Sequence, residues 1–145
     1  MPRPALLIAI VLVAFSGGVQ AELTPDDARP GYLLALRAYE AGEFARAADL
    51  LEAAMTVAPD CARCAHLLGK SYGRLAERAG WIEAMALARK TVAALEQAVE
   101  LAPDDVEALE DLLRYYRAAP DFLGGGADKA EAVEQRLRDV SGRTG

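Results

Sequence analysis

An internal repeat of helix-like segments is the feature that most limits how this chain can fold. TVAPDCARCAHLLGKSY (residues 56–72) and ELAPDDVEALEDLLRYY (residues 100–116) lie 44 residues apart and carry Pro, Asp, Leu and Tyr at matching positions. Each copy contains a Pro, which cannot lie in a helix interior, followed by an Asp able to cap the next helix. We therefore expect two equivalent helix starts, capped by Asp60 and Asp104.

The rest of the chain after Pro30 follows the same pattern. Apolar residues recur at helical spacing, Pro or Gly closes most segments, and no alternating stretch is long enough for a strand. The expected helical segments are residues 31–42, 44–58, 61–80, 81–102, 105–119 and 129–140. Stacked helical hairpins bury a core only by packing on their neighbours. The sequence predicts an all-α fold, an α-solenoid of about three stacked hairpins over residues 31–141, with a polar tail at 142–145.

Residues 1–21 have the three-part composition of a secretory signal peptide. A basic start with Arg3 precedes an apolar run from Ala5 to Phe15, and small residues stand at Val19 and Ala21. That run is eleven residues long, whereas a membrane-spanning helix needs about twenty. We predict cleavage near Ala21, a short lead-in at 22–30 and a periplasmic or secreted chain. The alternative is an uncleaved anchor that holds the chain to the inner membrane, facing the periplasm.

The charge balance limits the possible partners. Removing residues 1–21 takes away Arg3 and no acidic residue, so the net charge changes from −6 to −7. An acidic chain repels the phosphates of nucleic acids and anionic membrane surfaces. We therefore expect no nucleic-acid partner and no membrane insertion after cleavage. An exported chain also lies in a compartment where disulfides can form.

The repeated residues resemble those of the tetratricopeptide repeat family, whose period is about 34 residues. The matching positions are Leu34, Ala47, Leu51, Ala54 and Pro59 in the first unit, Leu68, Gly69, Tyr72, Leu95, Ala98 and Pro103 in the second, and Leu112 and Tyr116 in the third. The chain departs from the family in having Ala65 at the Trp position, a longer second unit and an insert near residues 120–130. It is similar to a group of small exported bacterial proteins of this family.

The resemblance implies a concave groove lined by the first helix of each hairpin. Lys and Arg outnumber acidic residues at the implied groove positions, and two tyrosines add contact surface of the kind favoured at interfaces. Such a groove suits a partner's acidic or carboxy-terminal segment. The alternative is a solvated face whose cations pair with neighbours, such as Glu110 with Arg114. The candidate groove residues are Tyr32, Tyr39, Arg63, His66, Lys70, Arg74, Arg114 and Arg117.

Cys61 and Cys64 are the only cysteines of the chain. Covalent haem attachment needs His directly after the second Cys, and Ala65 holds that position. Structural zinc needs four ligands, and two Cys with the lone His66 supply three. A thiol-redox pair at a helix start is an open alternative, as is a local disulfide worth about 2 kcal/mol or less. We expect a structural role, because Cys64 aligns with Ala108, a small packing position.

Two other features have structural interpretations. Trp81 begins the lengthened helix after Gly80, and we expect its ring to cover the apolar face of that helix. Residues 124–126 are three consecutive glycines without the spacing or the Lys-Ser/Thr ending of a phosphate loop, so they predict a turn with unusual dihedral angles.

The sequence thus predicts an adaptor or scaffold that docks a partner protein or peptide in its groove. We expect no catalysis, no cofactor and no metal site, since the single His and the scattered carboxylates form no recognisable catalytic set. Two alternatives stay open. One is a thiol-redox helper that uses Cys61 and Cys64, and the other is a self-associating structural subunit, with a homo-oligomer as the partner.

Overall fold

The computed structural model describes residues 31–143. This part of the chain contains no strand, and the prediction of an all-α fold is confirmed. The α-helices are α1 (Tyr32–Glu40), α2 (Phe44–Val57), α3 (Ala62–Ala76), α4 (Trp81–Leu101), α5 (Val106–Ala118) and α6 (Ala127–Arg143), with a 3₁₀ turn at Asp121–Leu123. The expected signal peptide and lead-in lie outside the described residues.

The last helix differs from its predicted bounds. It begins at Ala127 rather than Lys129 and continues past Val140 to Arg143, into the segment expected to be a polar tail. Arg143 Nη2 donates to Asp104 Oδ1 at 2.7 Å, which ties the end of α6 to the turn before α5. Within the described range, no helix combines the length and the apolar character that crossing a membrane requires.

Each helix packs against the next one in the chain, and α3 touches α1, α2 and α4. One buried cluster joins α1, α2 and α3 around Leu51, Leu67 and Leu68. A second joins α4, α5 and α6 around Leu109 and Leu112. Leu68 and Leu112, which match in the repeat, therefore belong to successive parts of the core. Because α3 is held from several sides, the orientation of its remaining face is fixed.

Gly69 allows α3 and α4 to approach closely. A Cβ at Gly69 would lie 2.9 Å from both Cγ and Cδ2 of Leu95, and 3.3 Å from the Leu95 backbone nitrogen. Leu95 is itself buried and cannot move aside easily. One turn further along, a Cβ at Gly73 would meet Thr91 Cγ2 at 3.7 Å, an ordinary contact. Of these two positions, Gly69 is therefore the one at which α3 and α4 approach more closely.

A tyrosine–glutamate hydrogen bond occurs twice, at positions that match in the repeat. The Tyr72 hydroxyl donates to Glu52 Oε1, and the Tyr116 hydroxyl donates to Glu96 Oε1 at 2.6 Å. Burial and the adjacent carboxylate raise the pKa of both phenols well above its usual range. The repeat in the sequence therefore corresponds to a repeated contact between the helices.

The helix caps differ from the prediction, and Asp60 and Asp104 are not the capping residues. The N-cap of α3 is Cys61, whose sulfur accepts from the Cys64 backbone N–H at 3.2 Å. The N-cap of α5 is Asp105, whose Oδ1 accepts from the Ala108 N–H at 3.2 Å. The cap lies one residue later because that residue has the extended backbone from which a side chain reaches the third N–H of the helix. Cys61 and Asp105 also match in the repeat.

Trp81 does not cover an apolar face, contrary to expectation. Its side chain lies at the start of α4 and is 73% exposed, and the neighbouring Ile82 is 79% exposed. The reason is length: α4 has 21 residues and α2 has 14, so the beginning of α4 extends where it has few neighbours. The expectation for the glycine run is confirmed, since Gly124 and Gly126 have φ of 87° and 140°.

Gly69→Ala should destabilise the protein. The added Cβ cannot fit without displacing Leu95, and such overpacking typically costs about 1–3 kcal/mol, offset by less than about 1 kcal/mol of improved helix propensity. Urea denaturation followed by circular dichroism measures the change. Gly73→Ala is the matched control and should stabilise the protein by about 0.5–1 kcal/mol. Equal effects of the two substitutions would show that the close approach does not matter.

Stability should fall as the pH rises above about 10, the usual pKa of an unfolded tyrosine. The folded chain keeps Tyr72 and Tyr116 protonated to higher pH than the unfolded chain, so their contribution is complete below that pH and is lost above it. Urea midpoints measured at neutral pH and at about pH 11 test this. In Tyr72→Phe/Tyr116→Phe the loss should be smaller, and an identical loss in the double variant would contradict the assignment.

Candidate functional site

One face of the molecule brings together residues from α1, α3 and α5. Two cavities of about 350 Å³ and 260 Å³ open on it, and Lys70 lines both. The larger cavity contains the predicted groove residues Tyr39, Arg74 and Arg114. The smaller contains Tyr32, Arg63 and His66. The fold thus gathers seven of the eight predicted residues around two adjoining cavities; this face, with both cavities, is called the groove face below.

Arg117 is the predicted residue that lies elsewhere. Its guanidinium pairs with the Glu134 carboxylate, across the contact between α5 and α6. It also lines a separate cavity together with Gly126 and Glu131. The Arg117 side chain therefore links α5 to α6, and it also lines a further cavity together with the groove residue Arg114.

Cations stack on aromatic rings along the contact between α1 and α3. The Arg63 guanidinium carbon lies 5.0 Å from the centre of the Tyr32 ring, and Lys70 Nζ lies 5.9 Å from that of Tyr39. Arg63 and Lys70 are seven residues apart in α3, as Tyr32 and Tyr39 are in α1. The two cation–ring pairs are therefore separated by two helical turns. The rings hold the cationic side chains across the groove face at distances typical of cation–π contacts.

Most cations of the groove face also have a carboxylate partner. Lys70 Nζ donates to Glu107 Oε1 at 3.0 Å, and Arg74 pairs with Glu77 at 2.7 Å. Arg114 pairs with Asp111 at 2.8 Å, rather than with Glu110 as the helical spacing suggested. The local excess of basic residues seen in the sequence is therefore compensated by acidic side chains from the same and neighbouring helices.

A cluster of four ionisable groups lies between α3 and α5. His66 is 8% exposed, less than expected for a groove residue, and its Nε2 lies 2.8 Å from Asp111 Oδ2. Glu107 precedes Asp111 by one turn and points to the same side, so its carboxylate joins the cluster. Lys70 completes the group through its bond to Glu107. Side chains from two helices thus converge on one small volume.

The charges in this cluster shift one another's pKa values. The hydrogen bond from Lys70 and its positive charge hold the pKa of Glu107 below its usual range. Burial alone would raise the pKa of Asp111, but the bond to His66 and the charges of Lys70 and Arg114 outweigh it and lower that pKa. Burial alone would lower the pKa of Lys70, but the bond to Glu107 raises it. Both carboxylates are consequently ionised at neutral pH.

Two members of the cluster were not predicted as site residues. Glu107 and Asp111 are not among the predicted groove residues, all of which are aromatic or basic. Their spacing of four residues on one helical face is the signal for them in the sequence. The contact of Asp111 with His66, 45 positions away in the chain, depends on how α3 and α5 pack and has no signal in the sequence.

Cys61 and Cys64 form a disulfide in this structure. Both residues are fully buried, with 0% exposure, and belong to the cluster that joins α1, α2 and α3. Ala108, which matches Cys64 in the repeat, is also 0% exposed. Thiol–disulfide exchange requires a thiolate to reach one of the sulfur atoms. Burial of both sulfur atoms therefore favours a structural role over exchange with a partner.

Reduction of the native protein should be slow because neither sulfur can be reached from solvent. Incubation with glutathione, followed by maleimide labelling and mass measurement, should show no added label until urea unfolds the chain. Rapid labelling of the native protein would instead favour the thiol-redox alternative.

The Cys61 cap provides a second part of this prediction. Cys61→Ser/Cys64→Ala keeps a capping side chain and should lose about 2 kcal/mol or less of stability with the disulfide. Cys61→Ala/Cys64→Ala also removes the cap and should lose about 1 kcal/mol more. Equal stabilities of the two variants would show that the residue at 61 does not cap α3.

Comparison with known proteins adds no family to this description. No protein-family model matches the chain, and no curated protein matches it.

Proposed function

We propose that this chain is an exported adaptor of the tetratricopeptide type, which docks an extended segment of a partner protein in the groove face. Three helical hairpins, α1–α2, α3–α4 and α5–α6, stacked as a short α-solenoid would make that face concave. In this proposal the chain performs no catalysis and requires no cofactor. Its localisation is periplasmic or secreted.

The observation that carries the proposal is the gathering of Tyr39, Lys70, Arg74 and Arg114 around one cavity, from three different helices. Aromatic rings give a peptide backbone a flat contact surface at low entropic cost, and guanidinium groups bind carboxylates in bidentate geometry. An acidic or carboxy-terminal segment fits this combination.

The ion pairs of Arg74 and Arg114 would determine the strength and selectivity with which such a segment binds. Arg74 and Arg114 have side chains that are 46% and 76% exposed, and each pairs with a carboxylate one turn away in its own helix. Exposed pairs of this kind contribute little to stability. A partner carboxylate could therefore take over either guanidinium at small cost, whereas Asp111 and Glu77 would then repel a wrongly placed acid. Such an arrangement gives selectivity more than affinity.

Charge reversal at the two exposed arginines should abolish docking. Arg74→Glu/Arg114→Glu replaces two contacts to a partner carboxylate with repulsion, so the partner should be lost from an affinity capture made from cell-envelope extract. Titration of the identified partner's acidic peptide against both forms of the protein, by calorimetry, then gives the change in affinity.

Arg46→Glu/Arg138→Glu is the matched control. Both residues are exposed, both pair within their own helices and neither lines the two cavities of the groove face. The control should retain the partner at the wild-type level. Equal loss in both variants would show an effect of net charge alone, and equal retention would place docking on another face. An empty capture with a dimer mass in light scattering would replace the proposal with self-association.

A further inference from the structure

The cluster between α3 and α5 has the donor set of a metal site. A ring nitrogen of His66, an Asp111 oxygen and a Glu107 oxygen all lie within 4.8 Å of one another. The His66 and Asp111 side chains are largely buried, 10% and 16% exposed, so two of the three donors are held by the packing of their helices. The Glu107 side chain is 69% exposed and can adjust. An ion could therefore bind to the two fixed donors, and the Glu107 side chain could rotate to become the third ligand.

A cation already occupies the edge of this cluster. The Lys70 ammonium lies 3.0 Å from Glu107 Oε1, and the charges of both carboxylates act on it. The position is thus one where positive charge is stabilised by two carboxylates. Lys70 has a long, flexible side chain, and its tip can move toward the adjacent Tyr39 ring without a change in the backbone. An ion carrying two charges would compete well for the place of the single ammonium.

The type of donor selects the type of ion. Imidazole favours first-row transition ions, whereas Mg²⁺ and Ca²⁺ prefer sites made of oxygen alone. One His and two carboxylates suit Zn²⁺, which leaves a fourth position open to solvent. The cavity of about 260 Å³ is lined by His66, Lys70 and Glu107, so it provides a route for the ion and space for a water ligand.

We propose that His66, Glu107 and Asp111 bind a divalent first-row transition-metal ion of the Zn²⁺ class, which displaces the Lys70 ammonium. Ligands around Zn²⁺ lie about 2.0–2.2 Å from it, and tetrahedral ligand atoms are then about 3.3–3.5 Å apart. The 2.8 Å separation of His66 Nε2 and Asp111 Oδ2 must therefore widen by about half an ångström on binding. Coordination through Nε2 also requires the neutral tautomer that carries its proton on Nδ1, because in the present contact Nε2 donates to the ionised Asp111 carboxylate. The proposal does not rest on the docking function, although Lys70 and Asp111 also line the docking cavity.

Calorimetric titration of the protein with Zn²⁺ tests this, using the product of the full-length gene with an affinity tag that contains no histidine. We expect one Zn²⁺ per chain and no detectable binding of Ca²⁺. Co²⁺ should give visible absorption bands of a low-coordinate site. His66→Gln should weaken Zn²⁺ binding by about tenfold or more, since even residues that only orient a ligand contribute that much.

Lys70→Met should tighten Zn²⁺ binding, because it removes the ammonium that competes with the ion. A cluster with only a structural role would give no such increase in affinity. Arg74→Met, one turn along α3 and paired elsewhere, should leave it unchanged. Glu107→Gln should weaken binding, whereas its neighbour on the helix, Glu110→Gln, should not. Circular dichroism melts identify any variant that does not fold. Absence of Zn²⁺ binding by the wild type, or wild-type binding by folded His66→Gln, would overturn the proposal.

Discussion

The close approach of α3 to α4 at Gly69 is the constraint on which the other features depend. With Leu95 directly against the Gly69 backbone, α3 can pack this close to α4 only with the glycine facing it. In this orientation Leu67 and Leu68 lie in the core, and His66 and Lys70 contact residues of α5. Gly69 and Leu95 themselves line the larger cavity of the groove face, so the contact that positions α3 is part of that face.

The positive charges of the groove face are compensated by neighbouring rings and carboxylates. Its cations are neither free nor deeply buried; each lies against a ring or a carboxylate supplied by a neighbouring turn or helix. Charges held in this way cost little to desolvate when a ligand arrives, since part of their hydration is already replaced by protein groups. The face can exchange one set of charged partners for another, and both proposals made above use that property, with Lys70 and Asp111 taking part in each.

The sequence predicted well what depends on local pattern and poorly what depends on contacts between distant segments. Proline, glycine and the spacing of apolar residues located the six α-helices of residues 31–143, because helix ends and amphipathic faces depend on local sequence. The caps were misplaced by one residue, since Pro-Asp suggests a cap while the actual backbone turns one residue later, at Cys61 and Asp105. The His66–Asp111 contact spans two hairpins, and its existence is decided by packing alone. The exposure of Trp81 was missed for a similar reason, because helix length does not reveal where neighbouring helices end.

The exposed start of α4 has a consequence for how this molecule can be observed. Trp81 is the only tryptophan of the chain, and it belongs to neither of the buried clusters that lose their packing when the protein unfolds. Its emission already comes from a mostly hydrated indole in the native state, so fluorescence changes little on denaturation. The same fluorophore becomes a sensitive reporter of anything that covers the tip of α4, be it a second chain, a partner or a lipid surface. The tryptophan fluorescence of this protein thus reports on binding at the start of α4 and changes little when the core unfolds.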